Sequence, residues 1–257
     1  MRTWGLRLLA LVLSLSWLVL PGFGIIDLSV TWDPDWPVVL EAGWGLFFTV
    51  LVGVPFLVVA TVPRRSGPAL VQLTCATAVL GMAAAISLEA PLAVLTVVLA
   101  AEVAAVAVFR AAPPILPLRA AYDVPLLLVA ALAAPAWLVH AWQMAGANRR
   151  ELLSADITIG VDHYSVQAAT ALALVALPML AGCWPRGRAF LGGSVAVVAF
   201  YLGLVSYAWT GADAGFSPAW SLIAMVWAAA VLALALRPRA HHTLTRSTSR
   251  RSAHPVS

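Results

Sequence analysis

The hydrophobic and polar residues along this chain alternate between long apolar stretches and short breaks rich in proline, glycine and charge. A helix that crosses a bilayer needs about 20 mostly apolar residues. Eight stretches meet this requirement, so the sequence predicts an all-α, polytopic integral membrane bundle of eight transmembrane helices. The predicted helices cover residues 8–25, 40–62, 68–87, 91–109, 124–145, 162–184, 189–210 and 218–236.

The first stretch has two interpretations. A basic start up to Arg7, followed by the apolar run Leu8–Leu20, is typical of a signal peptide as well as of a membrane anchor. No A-x-A cleavage motif follows it, so we expect a retained helix. If the segment is cleaved, seven helices remain.

Composition supports the membrane class and narrows the chemistry. Of the 257 residues, 62% are hydrophobic and only 10% are charged, whereas a soluble domain carries about 25% charged residues. All fifteen basic residues are arginine, which excludes sites built on a lysine amine, such as a Schiff base or a phosphate-loop lysine. Cys75 and Cys183 form no CxxC pair, so we expect two free, buried thiols.

The charges follow the predicted helices. With eight crossings, thirteen of the fifteen arginines lie on one side of the membrane and nine of the eleven acids lie on the other. The positive-inside rule then predicts that both termini lie in the cytoplasm. We expect the protein in the plasma (inner) membrane. The nine acids are Asp27, Asp33, Asp35, Glu41, Glu89, Glu151, Asp156, Asp162 and Asp213.

The predicted domain organisation is a single transmembrane domain, residues 1–236, followed by a disordered basic tail, residues 237–257. Pro91–Arg110 aligns without a gap on Pro218–Arg237, and the sequence SWLV at residues 16–19 resembles AWLV at residues 136–139. These matches suggest two parallel four-helix halves, residues 1–119 and 120–236.

Glu102 is the most conspicuous polar residue, because it lies near the middle of the fourth predicted helix. A carboxylate at that depth costs a few kcal/mol if it faces lipid, so we expect it to point into the bundle. Two roles are open for Glu102 at this position. It is a functional group, that is, a proton or cation relay or a substrate anchor, or it is a protonated acid bound to a neighbour. The neighbours considered are Thr74, Thr77, Gln167 and Thr170.

A second group of candidates lies where the fifth and sixth helices approach the acidic side. His140 and Met144 share a helix face, and Asp162 and His163 open the next helix. Imidazole with thioether suits a soft metal ion, and two imidazoles suit haem, but no HxxxH or HxxH pair is present. We therefore expect no cofactor, with Asp162 capping the sixth helix and His163 in a polar cluster. By the same logic Asp35 and Asp123 cap the second and fifth helices.

Arg149 and Arg150 lie on the acidic side, against the trend. They either form a neutral ion-pair cluster with Glu151, Asp156 and Asp162, or they bind an anionic headgroup or substrate through bidentate guanidinium contacts.

Three functions remain open, because familiar protease, phosphatase and nucleotide-binding motifs are missing. The first is binding or transport of a small solute, ion or lipid at an intramembrane site that uses Glu102. The second is a membrane-embedded enzyme that modifies lipids or isoprenoids. The third is a non-catalytic subunit of a membrane complex, packed through small-residue helices. The expected partners are the lipid bilayer, a small solute or lipid, or a protein subunit, but no nucleic acid.

Overall fold

The computed structural model describes residues 2–110, 122–150 and 157–238, and this part of the chain is helical apart from one short β-hairpin. The α-helices are α1 (Arg2–Leu18), α2 (Gly24–Val30), α3 (Val38–Leu46), α4 (Val54–Thr61), α5 (Gly67–Ser87), α6 (Ala90–Arg110), α7 (Val124–Arg149), α8 (His163–Cys183), α9 (Arg188–Ala208) and α10 (Pro218–Leu236). A π-helical stretch, Phe47–Gly53, joins α3 to α4, and a 3-10 turn, Pro63–Arg65, follows α4. The hairpin pairs β1 (Ile157–Thr158) with β2 (Val161–Asp162).

Seven helices in the described chain are long and apolar enough to cross a membrane. They are α5 to α10 and the continuous α3–α4 segment, Val38–Thr61, which confirms a helical, multi-pass membrane protein. The first predicted helix, residues 8–25, is not confirmed as a span, and neither is the count of eight. The chain breaks after Leu18, and the 17 residues of α1 rise about 25 Å at 1.5 Å per residue, less than the roughly 30 Å of a hydrocarbon core.

The broken first segment packs along the α3–α4 segment, with α2 beside α3 and α1 beside α4. In the break, the Gly22 carbonyl accepts a hydrogen bond of 2.9 Å from Trp44 Nε1. A Cβ on Gly24 would lie 2.7 Å from Thr49 Oγ1, so only glycine lets α2 approach this closely. A backbone that leaves the helical path at membrane depth must find its partners within the protein, and Trp44 provides one.

The π-helical stretch has an identifiable cause and compensation. Pro55 at the start of α4 has no N–H, so a carbonyl one turn earlier loses its helical donor. Gln72 Nε2 in α5 donates to the Val50 carbonyl at 3.0 Å, and Ser14 Oγ in α1 donates to the Gly53 carbonyl at 2.9 Å. Neighbouring helices therefore supply donors to two carbonyls of the irregular backbone.

The spans differ in how much of their surface other helices cover. Within the most apolar part of each span, 72% of the α3–α4 segment and of α8 is buried, but only 28% of α6 and α10 and 22% of α7. Exposed side chains on the outer helices are apolar, among them Val97, Leu132 and Val226. The centre of the bundle is therefore the contact between α3 and α8, and the outer helices present an apolar surface suited to lipid.

An ion-pair cluster joins three helices at the end of the bundle where most arginines lie, here called the arginine-rich end. Asp123 precedes α7 and accepts a hydrogen bond from the Leu126 N–H at 3.3 Å, which confirms the predicted cap. Its carboxylate lies 2.5 Å from the buried Arg188 of α9 and 3.4 Å from Arg237, which follows α10. The start of the predicted tail is thus tied to the bundle, and residues 239–257 lie outside the described part of the chain.

Two other expectations need correction. Asp35 does not cap the second helix, since its own N–H binds Asp33 Oδ1 and Pro37 occupies the cap position. Both cysteines are free, but only Cys75 is buried and Cys183 is half-buried.

The Asp123 cluster predicts a pH-dependent stability. Burial alone would raise the pKa of Asp123, but the hydrogen bonds from the Leu126 N–H and from Arg188, and the charge of Arg237, outweigh it. The pKa is therefore lowered below its ordinary value of 3.8. The stabilisation by the ionised group is thus complete at neutral pH and is lost as the pH falls through the folded-state pKa.

We expect Asp123→Asn to lower the free energy of unfolding by about 3 kcal/mol at neutral pH, because a buried arginine loses its counter-charge. Thermal unfolding in detergent measures this, and the difference from the wild type should shrink below pH 3.8. The exposed Asp33→Asn is the matched control. Equal losses in both variants would contradict a specific role of the Asp123 cluster.

Candidate functional site

A buried acid and a buried histidine meet between α3 and α8. Glu41, in the first turn of α3, is 2% exposed, and its Oε2 lies 4.0 Å from Nδ1 of His163, the fully buried first residue of α8. Polar contacts are stronger here than at a surface because the surroundings are apolar. We call these two residues, with Trp44, His140 and Gln167, the Glu41 cluster.

His163 is held in place by its other neighbours. The Trp44 ring stacks on the imidazole with centroids 4.4 Å apart and an interplanar angle of 22°. The imidazole Nε2 forms a hydrogen bond of 2.9 Å with Thr158 Oγ1 in β1. His163 therefore has polar partners, as predicted, and its side chain is buried among them.

Gln167, one turn further along α8, contributes an acceptor to the same cluster. Its Nε2 lies 3.4 Å from Nε2 of His140 in α7, and Oε1 is buried with no hydrogen-bond partner in the described chain. A Cβ on Gly43 would lie 1.6 Å from that oxygen, so the glycine makes room for the carboxamide. An unsatisfied buried acceptor costs about 1–3 kcal/mol, which a ligand with a hydrogen-bond donor would offset.

Glu89 connects the ends of four helices just beyond the cluster, between α5 and α6. Its Oε1 accepts the Asp162 N–H at 2.8 Å, and its Oε2 accepts from Asn148 Nδ2 at 3.3 Å. Burial raises the pKa of Glu89 above its ordinary value of 4.5, although its hydrogen bonds oppose the shift. The Asp162 side chain accepts the Tyr164 N–H at 2.8 Å, so the predicted cap of α8 is confirmed.

The two exceptional arginines lie at the same end. Arg149 donates to the Ile86 carbonyl at the end of α5, and its guanidinium lies 4.7 Å from the centre of the Trp142 ring. Arg150 is exposed at the end of α7. Glu151 and Asp156, two of their three expected partners, lie outside the described residues, so the predicted ion-pair cluster stays a prediction.

Glu102 lies apart from the Glu41 cluster, half-buried where α6 contacts α1. Trp17 Nε1 of α1 donates to Glu102 Oε2 at 2.6 Å. None of the four expected partners is correct. Thr74 and Thr77 instead bind carbonyls of their own helix, while Gln167 and Thr170 face α3 and α7.

A continuous series of aromatic contacts nevertheless joins the two acids. Trp17, which holds Glu102, stacks on Phe48 at 4.9 Å between ring centroids. Phe48 contacts Trp44 at 4.7 Å, and Trp44 stacks on His163. The rings therefore form a packed column from Glu102 to the Glu41 cluster.

The hypothesis of a metal or haem site gains no support from this geometry. No group of three or more His, Cys, Asp or Glu side chains in the described chain is arranged to hold a metal ion. His140 faces Gln167, His163 binds Thr158, and Met144 packs against the apolar core.

Sequence reasoning missed the most buried acid. From the sequence, Glu41 is counted only among the nine acids on one side of the membrane, although it falls in the predicted helix 40–62, and the structure places it in the first turn of α3. The signal was present, since Glu41, Gln72 and Gln167 are polar residues inside apolar stretches.

No protein-family model matches this chain, and neither a curated protein nor a solved structure matches it significantly. The function must therefore be inferred from the site itself.

The close contact at Gly43 provides a test of the cluster. Gly43→Ala should displace the Gln167 carboxamide and break its contact with His140, which lowers the free energy of unfolding by about 1 kcal/mol. Thermal unfolding, together with the side-chain amide resonance of Gln167 by NMR, would show this. The control is Gly193→Ala in α9, where a Cβ meets no atom within 4 Å, so no loss is expected. An unchanged Gln167 resonance in Gly43→Ala would refute the described packing.

Proposed function

We propose that this protein binds a small cation or hydrogen-bond-donating solute at the Glu41 cluster and moves it across the membrane. The observation that carries the proposal is the buried Gln167 Oε1, which lacks a donor in the described chain, beside the Glu41–His163 pair. A carboxylate and a free carbonyl oxygen suit a positively charged or donating ligand. Ionisable residues inside a membrane typically mark ion or substrate pathways.

The backbone around the cluster supports transport over a purely structural role. The first segment is interrupted between α1 and α2, and the α3–α4 segment contains a π-helical stretch. Interrupted helices at membrane depth are typical of transporter binding sites, and π-helical turns are frequent at functional sites. Trp44 connects the cluster to the break, since it stacks on His163 and donates to the Gly22 carbonyl.

Two further groups have roles in this proposal. Glu102 is a second acid on the path toward the arginine-rich end, joined to the cluster through the aromatic column. Asp162, Arg149, Arg150 and Glu89 form the entrance at the opposite end, where His140 closes the site from α7.

We further propose two parallel halves and a plasma (inner) membrane location with both termini in the cytoplasm. In support, α1, α4, α5 and α6 contact one another in a ring, and α7, α8, α9 and α10 form a corresponding ring. Contacts between the two rings also correspond. The third helix of the first half, α5, packs on α8, the second helix of the other half, and the third helix of the second half, α9, packs on the α3 part of the α3–α4 segment. The arginine distribution supports the orientation.

The proposal is tested with proteoliposomes loaded with a pH-sensitive dye, under an imposed potassium diffusion potential, in sodium or choline buffer. We expect proton flux or sodium-dependent proton exchange from the wild type. Glu41→Gln and Gln167→Leu should reduce the rate at least about tenfold, because each removes a charge or acceptor from the site.

Two comparisons make the result decisive. Gly193→Ala should transport like the wild type, and Glu102→Asp should retain more flux than Glu102→Ala. A wild type no faster than protein-free vesicles in both buffers would refute transport of protons and sodium. Turnover of an added lipid in vesicles without a gradient would instead favour the enzyme.

A further inference from the structure

The arginine-rich end contains a cleft that the proposed transport site does not use. The start of α1, the end of α4 and the end of α6 enclose a cleft of about 670 Å³ that is partly open to the surroundings. Three arginines line it, one from each helix end: Arg7, Arg64 and Arg110. Apolar side chains, including Leu6 and Phe109, form the rest of its wall.

The positive charge of this cleft has no counter-charge among the residues that the structure describes. In the described chain no carboxylate lies within ion-pair distance of the three guanidinium groups. Arg7 instead lies over the Trp4 ring, 5.9 Å from its centre. The sequence that follows Arg110, residues 111–121, adds Arg119 but contains no acid, and residues 239–257 contain none either.

The other half of the bundle shows how such a charge is neutralised. Arg110 aligns with Arg237, which pairs with Asp123. When Trp17 is aligned with Trp137, Thr3 is the residue that corresponds to Asp123, because each lies fourteen positions before its tryptophan. Thr3 lines the cleft, so at the position where one half has a carboxylate the other half has an open cleft and a hydroxyl group.

We propose that this cleft binds a phosphate group, supplied either by an anionic lipid headgroup or by a soluble phosphate compound. Guanidinium groups match phosphate oxygens in a bidentate arrangement. The cleft lies at the ends of two membrane spans and beside α1, where headgroup phosphates are found, and basic pockets between membrane helices bind anionic headgroups. The apolar wall suits the glycerol and acyl part of a lipid.

The experiment uses the full chain and two probes. Native mass spectrometry after extraction from phosphatidylcholine bilayers containing phosphatidylglycerol counts the retained anionic lipid. Calorimetric titration with inorganic phosphate, in nanodiscs of phosphatidylcholine alone, tests a soluble source. We expect the wild type to bind at least one probe, and which probe binds identifies the source.

Variants separate the cleft from general surface attraction. Arg64→Gln with Arg110→Gln should weaken binding about a hundredfold, about tenfold for each arginine. Thr3→Asp should weaken it about tenfold or more, because it supplies the carboxylate that Asp123 provides in the other half. Thr3 is exposed, so this variant tests the proposal even if the double variant does not fold.

The controls are Arg65→Gln and Arg186→Gln, which remove exposed arginines from the same end outside the cleft. Both should bind like the wild type. Binding of neither probe by the wild type overturns the proposal. So does an equal loss in the control and cleft variants, or unchanged binding in Thr3→Asp.

Discussion

Every polar backbone group buried in this bundle needs a partner supplied by the protein, because hydrocarbon supplies none. Regular helices meet that requirement within themselves. The chain departs from regular helix at the α1–α2 break and in the π-helical stretch, and at both places a side chain from another helix compensates. Trp44 serves the break, while Gln72 and Ser14 serve the π-helical stretch. These three side chains therefore determine where the irregular backbone can exist, and the Glu41 cluster lies beside it.

The hydrophobic pattern alone predicted the seven confirmed spans. Exposing a polar group to lipid is costly at every position of a crossing helix, so each span is a long apolar stretch in the sequence. The same pattern failed at residues 8–25. Pro21 and Gly22 inside this stretch signal a turn, but the return path of α2 depends on Gly24 fitting against Thr49, a contact between segments distant in sequence. Caps at Asp123 and Asp162 were predictable, since a cap is a local interaction.

The candidate site was predictable only in its residue types. Depth in a span singled out Glu102, and position at the acidic-side ends of two helices singled out the histidines, but partners are set by helix packing. Glu102 binds Trp17, 85 positions away, and Glu41 meets His163 through the contact of α3 with α8. Counting acids on each side of the membrane did not single out Glu41, because an acid in the first turn of a helix and an acid in a loop lie on the same side.

The aromatic column has a consequence for how a ligand would act on this fold. Proteins that are packed as densely as crystals respond to a displaced side chain by moving its neighbours. A ligand that changes the position of the His163 ring must also move Trp44, which is stacked on it. Trp44 holds the Gly22 carbonyl and contacts Phe48, which in turn stacks on Trp17. Under the proposed function, a ligand in the Glu41 cluster would therefore act on the α1–α2 break and on the Trp17–Glu102 hydrogen bond. The contacts that join these places pass through four aromatic rings rather than through a charge network.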